Sequence, residues 1–487
     1  MASETTPPSP QQEPFREIEK LRSNITGLDE ILNGGFPKGK LTLMSGKPGT
    51  GKTMIGLEFI VRGAEEGCPG VLLTFEEKEA SLKRYAHGFG WDISALEAKG
   101  DLSIIAASIN PEAVLSGDFD LNGILALLMQ KVNLLQAERV FIDAPDVFLR
   151  LLDNIAKERA QLHTMNEWLQ DKNLTVLLTM KGGEATSHHA SPYEFLEYMA
   201  DCVIQLDQRV FDQVTTRRLR IIKYRGSSFS RNEYPFSITA NGVWIIPITR
   251  TNLMHQALGE GLQSGVSGLD PLLGGGYRRN SCTLISGTSG TGKTTFACSF
   301  VMAVIARSER ILYFDFEESF EALTSCMIST GIDMKKAKQS GHLRFVSVMP
   351  ESQGIEEHLI QAFVEIERFQ PKHLIIDAIS ACRRMGSIHS AFDYLLRLID
   401  HCKKRGVTAL LTNLSSAVDA KDEITGFDLS SVIDTVIILR NIESRGRFIR
   451  ELAILKSRGR AHSNLVHEFR ITGHGIEIEA KEGGYAG

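Results

Sequence analysis

Short apolar runs punctuate the first half of the chain: LTLMSG (41–46), GVLLTFE (70–76), RVFIDA (139–144) and LTVLLTM (174–180). Between them lie longer stretches whose apolar positions recur every three or four residues, as in LNGILALLMQKVNLLQAE (121–138). Unbroken apolar runs this short predict strands buried on both faces, hence a parallel sheet, and the intervening stretches predict helices that cover it. Strand–helix alternation makes the expected fold α/β with right-handed crossovers. Segments 201–226 and 434–459 read differently. Each has two strand-like runs around a polar turn, which predicts an antiparallel addition to the sheet.

The pattern is written twice. ITGLDEILNGGFPKGKLTLMSGKPGTGKT begins at Ile25 and VSGLDPLLGGGYRRNSCTLISGTSGTGKT at Val266, 241 residues on and without a gap. VLLTFEEKEASL (71–82) meets ILYFDFEESFEAL (311–323), and RVFIDAPDVF (139–148) meets HLIIDAISAC (373–382). LRIIKYRGSSFSRNEYPFSIT (219–239) meets LAILKSRGRAHSNLVHEFRIT (452–472). A period as long as a domain is a tandem duplication rather than a solenoid. The expected organisation is a disordered lead over 1–15, rich in Pro, Ser, Thr and Gln, then one domain over 16–247 and a second over 248–487.

Composition narrows the function without naming it. The 487 residues, 43% hydrophobic and 23% charged, are those of a globular protein of several domains. A net charge of −5 argues against a bulk nucleic-acid surface or a basic membrane anchor. No apolar run approaches the roughly 20 residues of a membrane helix, and MASETTPPSPQQEPF lacks the regions of a signal peptide. Seven scattered cysteines, never spaced CxxC, predict neither a disulfide framework nor a zinc site and suit a reducing cytoplasm. The lone pair His188-His189 has no cysteine near it and reads as a polar loop.

Two phosphate cradles carry the chemistry. Gly46-Lys47-Pro48-Gly49-Thr50-Gly51-Lys52-Thr53 and Gly287-Thr288-Ser289-Gly290-Thr291-Gly292-Lys293-Thr294, the latter followed by Thr295, both satisfy GxxxxGK[ST] after a strand and before a helix. Glycines let the backbone N–H groups turn inward, and the helix that follows adds its positive end. Lys52 and Lys293 are expected to reach the β- and γ-phosphates of ATP, with Thr53 and Thr294 on Mg²⁺. Asp143 and Asp377 end apolar strands and suit the Walker B role of holding that metal. The pairs Glu76-Glu77 and Glu317-Glu318 also end strands, where adjacent carboxylates repel unless Mg²⁺ or a proton relieves them. One of each pair is a candidate to orient or deprotonate the attacking group, and Glu317 is also a candidate metal ligand. Lys223-Tyr224-Arg225 and Lys456-Ser457-Arg458, each before a glycine, could fork a phosphate or be surface charge.

With these elements present twice, the chain resembles the KaiC family of clock-type ATPases and autokinases from about residue 16 to 479. The resemblance implies two RecA-like P-loop domains, a double-ring homohexamer and ATP between neighbouring subunits. It implies that Lys223 and Arg225, with Lys456 and Arg458, reach the next subunit's nucleotide. It also implies nucleotide contacts for Arg450 and His462, and a position near the phosphates for Arg384. In ITGFDLSSVIDT (424–435) it puts Ser430 and Ser431 on the family's phosphorylated pair and Thr425 on its upstream threonine. FLEYMADCVIQLDQ (195–208) has no such pair, so the expectation is hydrolysis in the first ring and phosphoryl transfer in the second, with Glu317 activating the hydroxyl.

The sequence departs from the family at two points. Ser431 stands where the clock protein has threonine, and the chain ends at IEIEAKEGGYAG without the tail that binds KaiA. The expected protein is therefore a non-clock relative in signalling or stress adaptation. Its expected partners are a KaiB-like protein or a response regulator, with KaiA, membrane and nucleic acid left out. Two alternatives remain open, a RecA-type DNA motor and an ATP-dependent scaffold. Against the motor, Arg150, Lys157, Arg159, Arg383 and Arg384 make no obvious DNA stripe.

Overall fold

The apolar runs fold as strands and the helix-period stretches as helices. The computed structural model describes residues 18–107, 121–149, 151–152, 155–170, 172–182, 194–211, 214–247, 255–415, 431–444 and 446–479. The chain divides into two units, Met1–Thr249 and Arg250–Gly487.

In the first unit the main sheet takes nine strands. They are β1 (Leu41–Gly46), β2 (Gly70–Thr74), β3 (Leu102–Ala106), β4 (Arg139–Asp143), β5 (Thr175–Lys181), β6 (Cys202–Phe211), β7 (Val214–Tyr224), β8 (Glu233–Thr239) and β9 (Gly242–Ile245). Their order across the sheet is β3-β2-β4-β5-β1-β6-β7-β8-β9. β1 to β6 pair in parallel, and β7 to β9 extend the sheet antiparallel.

Alternation along each strand fills two cores. Met44, Leu72, Phe141 and Leu177 face α1 (Lys52–Glu65) with its Ile55, Leu57 and Phe59. Leu43, Leu73, Val140, Ile142 and Leu178 face α2 (Leu121–Leu135) and α3 (Ile155–Gln170) on the other side. Full burial of each such side chain stabilises by about 1.5–3 kcal/mol. One close approach locks α1 to the sheet: a Cβ at Gly56 would lie 2.1–2.4 Å from the Phe141 ring. The glycine, which costs a helix about 1 kcal/mol relative to alanine, makes room for that ring.

The second unit repeats the order. Its strands are β10 (Cys282–Gly287), β11 (Ile311–Asp315), β12 (Leu343–Ser347), β13 (His373–Asp377), β14 (Thr408–Leu414), β15 (Thr435–Ser444), β16 (Arg447–Ser457), β17 (Val466–Thr472) and β18 (Gly475–Ile478). They run β12-β11-β13-β14-β10-β15-β16-β17-β18, the same topology. Ile285, Tyr313, Ile375 and Leu410 pack with Phe296, Ala297 and Phe300 of α4 (Lys293–Ala306). The positions equivalent to Gly56 and Phe141 are thus Ala297 and Ile375, a larger helix residue matched to a smaller strand residue.

Both sheets are doubly covered and mostly parallel, as the continuous apolar runs predict. The carboxyl ends of the parallel strands therefore share one edge in each unit. The loops after β1, β2 and β4, and after β10, β11 and β13, meet where open parallel sheets bind ligands.

Candidate functional site

After β1 the chain turns through Gly49 (φ 80°) and Gly51 (φ 103°), left-handed conformations that glycine adopts without strain. Thr50 Oγ1 donates to Lys47 O (2.8 Å). Lys52 Nζ crosses the loop to donate to Gly46 O (2.8 Å) and Lys47 O (3.1 Å). Burial holds the Lys52 pKa below its ordinary value, against the pull of Asp143, Asp146 and Glu76. Thr53 Oγ1 donates to Asp143 Oδ2 at 2.9 Å, and the Thr179 hydroxyl donates to Oδ1. Asp143 is only 2% exposed, and burial pushes its pKa up. A buried carboxylate met by hydroxyls suits a hard divalent cation, which would favour its charged form. Glu76 and Glu77 follow β2, with their N–H groups bound to Thr74 Oγ1 (3.3 and 3.1 Å).

The second edge has the same plan with different hardware. Gly290 and Gly292 turn with φ 73° and 96°, and Thr291 Oγ1 donates to Thr288 O (2.8 Å). Lys293 Nζ donates to Gly287 O (3.0 Å) and Thr288 O (2.8 Å), and burial again lowers its pKa. Thr294 and Thr295 open α4. Asp377 is held by the Tyr313 hydroxyl (Oη to Oδ2, 2.8 Å) and by Thr412 Oγ1. Glu317 N and Glu318 N donate to Asp315 Oδ1 (2.9 and 2.7 Å). Asp315 is 3% exposed, and its pKa is pushed up to about 7, chiefly by burial. Arg384 lies 3.4 Å from Glu351 and 4.0 Å from Glu317.

Each unit brings its P-loop, strand-end aspartate and glutamate pair together, but not its Lys-x-Arg strand. β7 runs back from the carboxyl edge, so its end pairs with the start of β6, Tyr224 opposite Cys202. Lys223 Nζ there donates to Glu197 O and Tyr198 O (2.8 and 2.9 Å), and Arg225 donates to Tyr198 O and Met199 O (2.7 and 3.3 Å). Tyr224 points into the core and donates to Gly35 O (2.8 Å). In the second unit Lys456 Nζ donates to Ile433 O (2.7 Å), Arg458 Nη2 to Ser431 O (3.4 Å), and Ser457 pairs with Thr435. His462 lies beside the same end, its ring contacting Arg460 O (3.5 Å). Ser431 is exposed, at the start of the turn into β15. Ser430, Thr425, Arg150, His188 and His189 lie outside the described residues.

Arg450, by contrast, does reach its own P-loop, with Nε 3.4 Å from Gly290 O. Arg217 occupies the equivalent place, with Nε 3.5 Å from Gly49 O. Arg217 was legible in the repeat, 233 residues before Arg450, yet an arginine among several on β7 gave no signal of its own. Asp315 and Tyr313 gave less, because their importance lies in which strand they face.

The description "ATPase: KaiC" fits this chain twice, over residues 21–250 and 262–483. The chain belongs to the KaiC family. It is 36% identical over 463 residues to the circadian clock protein KaiC2 of Synechocystis sp., covering 94% of this chain and 81% of that one. It is 33% identical over 480 residues to the circadian clock oscillator protein KaiC of Synechococcus elongatus, covering 98% and 92%. The KaiC of Parathermosynechococcus lividus is 32% identical over 493 residues, covering 99% and 91%. As a KaiC-family ATPase the chain binds ATP. Among the described residues no helix is long and apolar enough to cross a membrane.

Proposed function

We propose that each unit binds Mg-ATP at its carboxyl edge, and that the second unit also transfers a phosphoryl group to Ser430 or Ser431 of a neighbouring copy. Lys52 and Lys293 contact the β- and γ-phosphates. Thr53 with Asp143, and Thr294 with Asp377, hold the metal, which neutralises charge on the phosphates. Glu76 or Glu77 orients water in the first unit. In the second, Glu317, aided by Glu318, accepts the serine proton as the hydroxyl oxygen takes the γ-phosphoryl and ADP leaves.

The observation that carries transfer between copies is the position of Ser431. β15 begins beside Thr283, at the amino end of β10, whereas the P-loop follows its carboxyl end. Six residues at about 3.3 Å each separate the two edges by roughly 20 Å. A phosphoryl group in a chain's own second site lies out of reach of its own Ser431. The Lys456–Arg458 strand ends at that amino edge, and Lys223–Arg225 ends at the corresponding edge of the first unit's own sheet, so a head-to-tail ring would bring serine and cations of one copy to the nucleotide of the next. A homohexamer satisfies this geometry. On this reading the protein works in the cytoplasm, and its phosphorylated ring engages a KaiB-like protein or response regulator.

The test is phosphosite mapping by mass spectrometry after incubation with Mg-ATP, beside Glu317→Gln. Phosphate on Ser430 or Ser431 that vanishes in the variant is the expected result. ATP turnover with both serines unmodified would leave an ATPase and remove the kinase.

A further inference from the structure

The two units solve the same local problem differently. The turn after β2, or after β11, must hold two consecutive glutamates at the strand edge, and an acceptor at the strand's last residue binds both their main-chain N–H groups. In the first unit that acceptor is a hydroxyl, Thr74 Oγ1, at 3.3 and 3.1 Å. In the second it is a carboxylate, Asp315 Oδ1, at 2.9 and 2.7 Å. At each of the two N–H groups the contact in the second unit is 0.4 Å shorter (3.3 against 2.9 Å, 3.1 against 2.7 Å).

The carboxylate stands in an unfavourable place. Asp315 pairs directly opposite Asp377 across β11 and β13, as Thr74 pairs opposite Asp143 across β2 and β4. Both aspartates are buried, 3% and 7% exposed. Two such carboxylates side by side repel, and a hydroxyl would have avoided the repulsion. Tyr313, two residues before Asp315 and on the same face of β11, donates to Asp377 and offsets part of it. The first unit has Leu72 there, and Asp143 takes its hydrogen bond from Thr53 instead. Among the described residues no hydrogen bond joins Thr294 to Asp377.

We propose that Asp315 is a positioning residue of the second site: by binding the N–H groups of Glu317 and Glu318 it fixes the main chain from which their carboxylates meet the reacting hydroxyl. Tyr313 keeps Asp377 in place beside it. The inference rests on the reading of Glu317 as the group that activates that hydroxyl. It explains why the second unit carries a buried carboxylate where the first manages with threonine. Proton transfer from a substrate side chain to Glu317 demands closer alignment than transfer from mobile water, and displacement by about 1 Å can lower a rate about 100-fold.

The test uses the full chain with Lys52→Ala, so that turnover reports the second site. Asp315→Ala, Asp315→Thr and Asp315→Asn are compared for kcat, for KM and for phosphate incorporated into serine. Asp315→Ala is expected to lower kcat about tenfold or more while KM changes less than about threefold. Asp315→Asn, which keeps an acceptor oxygen at the same reach, recovers kcat to within about threefold of the parent, and Asp315→Thr falls between Asn and Ala. Unchanged kcat in Asp315→Ala overturns the proposal, as does an Asn variant as slow as the Ala variant. If Asp315→Ala does not fold, the order Asn above Thr supports positioning and the reverse order overturns it. Glu317→Gln is run in parallel. Loss there without loss in Asp315→Ala removes the positioning role alone. No loss in Glu317→Gln removes the reading beneath it, and the proposal with it.

Discussion

Gly56 and Phe141 in the first unit, against Ala297 and Ile375 in the second, make a natural exchange of volume between helix and strand. Gly56→Ala adds a methyl 2.1–2.4 Å from three ring atoms of Phe141, whose ring is fully buried and cannot withdraw without repacking. Overpacking of that kind costs about 1–3 kcal/mol, against a helix-propensity gain of about 1 kcal/mol. The net expected loss is about 0–2 kcal/mol. Phe141→Ile alone leaves space against Gly56 and costs about 1–3 kcal/mol. The double variant reproduces the second unit's solution, so its loss should be smaller than the summed single losses by about 1.5 kcal/mol or more. Urea unfolding followed by tryptophan fluorescence isolates the effect, since all three tryptophans, Trp91, Trp168 and Trp244, lie in the first unit. Losses that add to within about 0.5 kcal/mol would refute the exchange.

Glu58, on α1, accepts from Val243 N at 2.7 Å, and burial raises its pKa from an ordinary 4.5 to about 7. Between those values the folded chain keeps a proton that the unfolded chain has lost, so stability falls as pH rises, by about 3 kcal/mol across the window. Glu58→Gln should flatten that slope and stabilise the first unit at pH 8, and a variant whose urea midpoints track the parent at every pH would contradict this. Lys403, on the helix Ile388–Arg405, binds Asp434 Oδ2 at 2.8 Å and Val432 O at 2.7 Å with both side chains buried. Lys403→Ala leaves the carboxylate short of a counter-charge and is expected to lose about 3–5 kcal/mol of second-unit stability, read by calorimetry. Lys52→Ala and Lys293→Ala should each reduce bound ATP from two to one per chain in equilibrium dialysis. Unchanged stoichiometry in either would deny that site.

Local chemistry fixed much of this protein before any long-range contact was known. The apolar runs specify doubly buried strands because each side chain must face a helix layer. The two GxxxxGK[ST] loops specify phosphate cradles because glycine, lysine and hydroxyl act within a few residues of one another. The repeat carries both into a second copy, and Asp143, Asp377 and the glutamate pairs follow as strand ends at one edge. Tertiary structure decided the rest. That Lys223–Arg225 and Lys456–Arg458 lie at the opposite edge from their own P-loops depends on an antiparallel return that residue spacing does not encode. Tyr224 sits between two outward cations and points into the core, because a strand alternates its faces. Asp315 reads as one more acidic residue before a glutamate pair. Only the register of β11 against β13 sets it opposite Asp377, since pairing between strands more than sixty residues apart is chosen by the packing of both faces and not by either strand alone.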